Sequence, residues 1–321
     1  MIDERELLQR LAQGPVTGDA LAREGGLTRA AIWKRVQALR EAGIDVLARP
    51  GQGYALAQVP DLLDRETILA MLGDRIGAGV AEIDIAWELD STNSELLRRP
   101  TPEQGAAVLL AERQTGGRGR RGRDWVSPLA AHLYLSLARH FGGGLARLGG
   151  LSLVAGIAAA EALQSMGLDG VRLKWPNDLM VEGRKLGGLL VEGGGEHGGP
   201  VRAVIGLGVN VRMPPAVAAA IDQPWTDLQA WLPAPSRNAL AAEVLQALLP
   251  ALDCFDAEGL TPFLPRFAAL DALAGREIVV RTGTDEQRGV AGGIAEDGAL
   301  RLLCGNGELR VHAGEVSVRA A

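Results

Sequence analysis

The sequence predicts an α+β chain of three units: an N-terminal winged helix-turn-helix, a central mixed sheet covered by helices, and a small C-terminal β-barrel. Three observations predict it. Residues 1–60 carry three short helical periods followed by two strand-like runs around Arg49-Pro50-Gly51-Gln52-Gly53. From Ile83 to Val211, strand-like runs alternate with helical stretches, and beyond Ala272 only short alternating runs remain, separated by Gly and Asp turns. A length of 321 residues exceeds one ordinary core, so we place boundaries to give 1–60, 61–270 and 271–321.

Composition narrows the function classes. With 47% hydrophobic and 22% charged residues the chain is globular, and a net charge of −6 argues against a surface that tracks nucleic acid or anionic lipid along its whole extent. Any such contact is local. No apolar run reaches the roughly 18 residues of a spanning helix. The start MIDERELLQR lacks the apolar core and basic lead of a signal peptide, so a cytoplasmic protein without membrane contact is expected. Cys254 and Cys304 are far apart and lack CxxC spacing, which disfavours a disulfide framework or a zinc knuckle, and no protein-built metal site is expected.

Each element follows from local chemistry. Leu7, Leu8 and Leu11 sit at helical spacing in Glu4 to Ala12, which stops at Gly14-Pro15. Thr17 can cap a short helix through Ala22, broken by Gly25-Gly26, and Thr28 caps a third helix from Arg29 to Ala42. In that helix Ile32, Val36 and Leu39 share a face, while Arg29, Trp33, Lys34, Gln37 and Arg40 lie largely away from it and can enter a major groove, with Thr28 at the leading end. Asp45 to Ala48 and Tyr54 to Ala57 then form a hairpin wing. The DNA footprint is thin, because residues 1–60 hold eight Lys or Arg against seven Asp or Glu, a net of +1, and a winged helix can also dock proteins.

After a linker at Pro60-Asp61, a short helix over Glu66 to Leu72 leads to a strand over Ile83 to Leu89. Asp90, Ser91, Thr92 and Asn93 lie where that strand gives way to a helix through Arg98. Short hydrogen-bonding side chains at a strand end suit the polar head of a small ligand, yet Ser91 or Thr92 equally suits a helix cap. Ala106 to Ala111 reads as a buried strand, His132 to Ala138 as another, and Leu151 to Met166 as an Ala-rich helix. Val171 to Trp175 runs into Pro176-Asn177-Asp178, and Val181-Glu182-Gly183-Arg184 turns the chain into a strand from Lys185 to Glu192. In Val204 to Val211, Gly206 and Gly208 mark either a close approach or a bulge. Residues 214–235 include Pro214, Pro215, Pro224, Trp225, Pro233 and Pro235 and can act as a lid. Helices over Asn238 to Phe255 and Leu260 to Phe267 follow, then strands over Glu277 to Arg281, Gly289 to Ala295, Ala299 to Cys304 and Glu308 to Ala313.

The most distinctive stretch is RQTGGRGRRGRDWVS, Arg113 to Ser127, which threads Gly116, Gly117, Gly119 and Gly122 among Arg118, Arg120, Arg121 and Arg123. Glycine lets backbone approach a ligand, and guanidinium groups make charge-assisted bonds to phosphate and carboxylate oxygens. Such a loop is expected to order over an anionic ligand; a solvated basic run or an RGG-like nucleic-acid segment is the alternative. There is no GxxxxGK[ST], the GxGxxG-like string at 117–122 opens no convincing helix, and HExxH and GxSxG are absent, so P-loop, Rossmann, zinc-hydrolase and serine-hydrolase readings are disfavoured.

Taken together, Ser91-Thr92-Asn93, Gln114 with Gly117 to Trp125, Lys174-Trp175-Pro176-Asn177-Asp178 with Arg184-Lys185-Leu186-Gly187-Gly188, and Gly206-Leu207-Gly208-Val209-Asn210 resemble the biotin protein ligases in order and spacing throughout. With the N-terminal winged helix, the whole chain is similar to the bifunctional class that ligates biotin and represses biotin-synthesis genes. Thr115-Gly116 is a departure in a stretch that tolerates small residues. The resemblance implies a class II synthetase-like catalytic domain and an SH3-like C-terminal barrel. It implies that biotin carboxylate attacks the α-phosphate of ATP, with Mg²⁺, and that a lysine of the biotin carboxyl carrier protein of acetyl-CoA carboxylase then takes the biotinyl group. By the same resemblance Ser91, Thr92, Asn93 and Gln114 hold the biotin ring and its ureido group. Arg118, Gly119 and Arg120 close over the acyl phosphate, and Lys185 binds its oxygens. Beside the acyl centre so implied, Asp178 is the candidate for orienting the carrier amine, though an Asp after Pro-Asn equally suits a turn. Asn177, Asn210, Trp225 and Trp125 lie on the adenylate side. Operator DNA at the winged helix and a homodimer in the adenylate-bound state are implied as well. A regulatory sensor without turnover and a lipoate or octanoate transferase are the competing readings.

Overall fold

The computed structural model describes residues 2–320 except 78, 143, 196–200, 220, 283–284, 306 and 313–316. Helices α1 (Glu4–Ala12), α2 (Gly18–Gly25) and α3 (Arg29–Glu41) precede a two-stranded antiparallel wing, β1 (Val46–Arg49) and β2 (Gly53–Leu56). Each helix starts on a side-chain cap. Asp3 and Glu6 form a reciprocal capping box, while the Thr17 and Thr28 hydroxyls accept from Ala20 and Ala31 N–H. Leu7, Leu8, Leu11, Leu21, Ile32, Val36 and Leu39 bury their apolar stripes together. This core does not stop at residue 60, because Leu129 and Ala130 from the central unit are part of it. Leu129 N–H donates to the Ala42 carbonyl at 2.7 Å, just past the end of α3.

Helix α4 (Arg65–Gly77) is longer than expected and breaks at Gly73, whose φ is 68°. The central unit then runs β3 (Val80–Leu89), α5 (Thr92–Arg98), β4 (Ala106–Gln114), β5 (Leu133–Phe141), α6 (Leu151–Ser165), β6 (Val171–Lys174), β7 (Asp178–Val181), β8 (Arg184–Gly195), β9 (Val201–Val209) and α7 (Pro215–Ala218), closing with α8 (Arg237–Glu258) and α9 (Leu264–Leu270). Its seven strands are ordered β3-β4-β5-β9-β8-β7-β6; β3 and β4 are parallel and every other pair is antiparallel, the expected mixed sheet. The β8–β9 and β5–β9 ladders run without a register shift through Gly206 and Gly208, so these glycines mark close approach rather than a bulge.

Helix α6 is apolar on nearly all sides because it lies inside the protein. Its alanines let α8 come close on one side, while Gly156 lies against Leu173 and Leu189. The segments Leu148–Ser165 and Arg237–Glu258 are apolar and long enough to cross a membrane, which corrects the expectation that no run reaches that length. They are 67% and 61% buried within the protein, as core helices are.

The C-terminal unit is a five-stranded antiparallel sheet, order β13-β12-β11-β10-β14, formed by β10 (Glu277–Thr282), β11 (Asp285–Ile294), β12 (Leu300–Cys304), β13 (Gly307–Val311) and β14 (Ser317–Ala320). The last strand was not anticipated, because four residues give too little alternation to read. Ala313, the expected end of β13, lies outside the described residues. Ile278, Val280, Leu300 and Leu302 join the same core as the central sheet, and Trp175 Nε1 donates to the Gly298 carbonyl at 3.0 Å.

Candidate functional site

The ends of β3 and β4, the start of α5, the glycine-arginine loop and the β7–β8 hairpin converge on one cleft of about 150 Å³. Ser91, Thr92, Asn93, Gln114, Arg118, Gly119, Arg120, Trp125, Asn177, Asp178 and Lys185 all line it, so the topology gathers residues separated by nearly a hundred positions. Asn210 and Trp225 are not among its lining residues. Asn210 is buried, with Nδ2 donating to the Thr226 carbonyl at 3.0 Å. Trp225 pairs through its backbone with Lys185 at the edge of the expected lid, whose Gln223 does reach the cleft.

One wall is polar and buried. Ser91 caps α5, its Oγ accepting from Ser94 N–H at 3.4 Å, and the same residue lines the cleft. The Gln114 Oε1 accepts from Thr92 N–H at 2.9 Å and lies 3.1 Å from Thr92 Oγ1. Asn93 Nδ2 donates to the Leu190 carbonyl at 3.1 Å and to Glu192 Oε2 at 2.9 Å, and its Oδ1 accepts from Ser136 at 2.6 Å. Its amide therefore braces the wall. Ser136, fully buried on β5, and Glu192 on β8 were not singled out from the sequence, where a Ser inside an apolar strand and a Glu ending one carry no distinguishing signal. Gly206 exists for this wall, because a Cβ there would collide with the Asn93 amide. Gly208 serves the opposite side, since its Cβ would meet the Trp125 indole at 2.6 Å.

The other wall is cationic. Arg118 Nη2 pairs with Glu192 at 2.9 Å and Lys185 Nζ with Asp178 at 2.8 Å, while the Lys185 ammonium sits 5.5 Å from the centre of the Trp125 ring. Arg120 differs. Its hydrogen-bond acceptor is the neutral Asn177 Oδ1 at 3.2 Å. Burial, then the neighbouring Arg121, holds the guanidinium below the usual arginine value, with Asp178 pulling the other way. A half-buried guanidinium that faces a cleft and bonds a neutral amide keeps donors suited to an anion. The loop turns tightly through Arg120–Gly122, where Arg121 has φ 59° and Gly122 φ 70°. Gly117 lets the loop return on itself: Trp125 N–H donates to its carbonyl at 2.9 Å, and a Cβ on it would strike the Trp125 carbonyl.

On the winged helix, Trp33 is 54% exposed and Arg29 points outward in an exposed ion pair with Asp19. Arg40 instead donates Nε and Nη2 to the Val46 carbonyl at 2.9 and 2.6 Å, tying α3 to the wing. With its amide turned to satisfy both neighbours, Gln37 accepts from Trp33 Nε1 and Arg40 Nη1. Thr28 is engaged as the cap of α3.

Comparison with known proteins agrees with this geometry. The model described as the Biotin/lipoate A/B protein ligase family matches residues 87–210, an HTH domain matches residues 4–55, and the Biotin protein ligase C terminal domain matches residues 274–319. The Bifunctional ligase/repressor BirA of Escherichia coli (strain K12) is 41% identical over 318 residues, 98% of this chain and 97% of that protein. The Biotin--[acetyl-CoA-carboxylase] ligase of Paracoccus denitrificans is 36% identical, over 71% of this chain and 96% of its own length. Among solved structures, the biotin protein ligase from Aquifex aeolicus in complex with biotin and ATP matches with a TM-score of 0.65 at 27% identity, over 75% of this chain and 100% of that one.

Proposed function

Because the chain belongs to the biotin protein ligase family, in its bifunctional ligase/repressor branch, we infer that it couples biotin to ATP and passes the biotinyl group to a lysine of the biotin carboxyl carrier protein of acetyl-CoA carboxylase. The observation that carries the residue-level reading is the half-buried Arg120, facing the same cleft as Lys185 and the polar wall of Thr92 and Gln114. Two anions that repel each other, a carboxylate and a polyphosphate, need cations placed in advance. Arg118, Arg120 and Lys185 supply them. Mg²⁺ brought with ATP would add positive charge on the phosphates.

In the first step a biotin carboxylate oxygen bonds to the α-phosphorus and pyrophosphate leaves. Lys185 stabilises the charge that shifts onto the phosphate oxygens, exchanging its Asp178 partner for them. Gly119 and Arg120 then cover the mixed anhydride and exclude water. In the second step the carrier amine attacks the carbonyl carbon and AMP leaves. An amine with an ordinary pKa near 10.4 is only about 0.1% neutral at pH 7, so Asp178, freed from Lys185, orients it and accepts its proton. Trp125, Asn177 and the segment carrying Trp225 take the adenylate side, with Asn210 supporting from beneath.

Residues 1–60 act as the DNA-binding unit, 61–270 as the ligase and 271–321 as an accessory unit. Arg29, Trp33 and Lys34 meet operator DNA, while Thr28, Gln37 and Arg40 fix the helix that presents them. Adenylate-dependent homodimerisation supplies two-site binding, and the protein works in the cytoplasm. The decisive experiment incubates the protein with ATP, a carrier domain and either biotin or lipoate, and weighs the carrier by mass spectrometry. Biotin-dependent mass gain is expected; transfer of lipoate alone would point to the transferase reading, and no turnover to a sensor.

A further inference from the structure

The buried wall behind Thr92 holds a hydrogen-bond chain whose direction is fixed by counting protons. Glu192 Oε2 lies 2.9 Å from both Arg118 Nη2 and Asn93 Nδ2, and a carboxylate beside an arginine only accepts. The Leu190 carbonyl, also an acceptor, lies 3.1 Å from the same Asn93 nitrogen. Asn93 must therefore point its NH₂ at β8 and its Oδ1 at Ser136. That oxygen takes the single Ser136 proton at 2.6 Å. The remaining contact, Ser136 Oγ to Thr92 Oγ1 at 2.7 Å, needs a proton between two oxygens, and Thr92 has to supply it. The other acceptor within reach of that proton, Gln114 Oε1, already accepts from Thr92 N–H at 2.9 Å and lies farther from Thr92 Oγ1, at 3.1 Å against 2.7 Å for Ser136.

We infer that Ser136 and Glu192 are positioning residues for biotin selection: through Asn93 they turn the Thr92 hydroxyl proton into the protein and leave its lone pairs facing the cleft, so the site accepts a ring N–H and rejects a ring oxygen there. The inference rests on Thr92 meeting the ureido group of biotin. A dithiolane ring offers no such N–H, so the same device excludes lipoate. Ser136 is fully buried, which keeps water from re-orienting its hydroxyl.

The test measures direct binding of biotin and of a cyclic carbamate analogue in which the N–H facing Thr92 is replaced by oxygen. The parent should prefer biotin by at least about tenfold, the effect of losing one buried hydrogen bond and leaving an acceptor unpaired. In Ser136→Ala the Thr92 hydroxyl loses its near acceptor and can turn its proton to the ligand, so the preference should shrink severalfold while ATP affinity holds. Glu192→Leu, which removes one of the two acceptors that fix the Asn93 amide, should relax the same ratio and serves if Ser136→Ala does not fold. Equal weakening toward both ligands, or an unchanged ratio in both variants, overturns the inference and leaves the ligase reading intact. Failure of the parent to bind biotin removes both.

Discussion

Arg120 lies in a half-buried site among like charges, and its direct hydrogen bond goes to an uncharged amide. An anion bound there recovers electrostatic energy that the empty cleft does not. Losing one charged hydrogen bond is worth about 1.5 to 3 kcal/mol, roughly tenfold to a hundredfold or more in retention of the adenylate. Arg120→Gly should therefore leak the activated acid and label lysines on bystander proteins, read by blotting for biotin; adenylate held as tightly as in the parent would refute the role. Asp178 makes a different prediction because it faces Lys185 at 2.8 Å. Asp178→Asn should leave pyrophosphate release within a few-fold of the parent and slow transfer to the carrier by about tenfold or more, measured in single turnover from preformed adenylate. Equal loss in both steps would mean the carboxylate serves only to hold Lys185.

At the scale of elements, β9 is a strand whose two mid-strand glycines are each occupied by a neighbour. Asn93 sits against Gly206 and the Trp125 indole against Gly208. A methyl group at Gly208 meets ring carbons of Trp125 at 2.6 and 2.8 Å, so Gly208→Ala must push the indole outward and with it the end of the arginine loop. Overpacking of this kind costs about 1 to 3 kcal/mol, and here it can be relieved by loop movement. The expected outcome is a near-parental thermal midpoint with weaker ATP binding. A large fall in stability with unchanged ATP affinity would show that Trp125 does not yield.

For the whole molecule, the linker between winged helix and ligase is latched by buried polar groups. Arg237, at the first turn of α8, donates to Glu112 at 2.6 Å and to the Asp61 and His132 carbonyls, while Glu112 Oε1 accepts from Leu63 N–H at 2.6 Å. Arg237→Met strands Glu112 as an unpaired buried charge and should destabilise by about 3 to 5 kcal/mol in urea unfolding, whereas Arg237→Met with Glu112→Leu should recover most of it. Beside the latch, His132 is fully buried with Nδ1 accepting from Val211 N–H at 3.2 Å; burial first, then Arg237 and Arg212, pushes it down to about 3 from its ordinary 6.5. A group depressed on folding binds its proton more readily when unfolded. Stability from His132 is thus complete above about pH 6.5 and declines toward pH 3, by up to about 1.4 kcal/mol per unit. Unfolding at pH 7 and pH 5 should show that decline in the parent and a shallower one in His132→Gln.

The sequence by itself determined the elements and the chemistry. Capping residues, apolar spacing and turn glycines are local signals, so α1 to α3, the wing, the β7–β8 hairpin and the residues Arg118, Arg120 and Lys185 were legible in one dimension. Tertiary structure decided which of them meet. Folding carries Ser136 on β5 and Glu192 on β8 behind Thr92 and Asn93, and the wing gives Arg40 the Val46 carbonyl as a partner. Where the long apolar segments of α6 and α8 go was settled the same way, most of each being buried within the protein. Hydrogen-bond partners and burial depend on chain segments brought together from far apart, and no local pattern records that meeting.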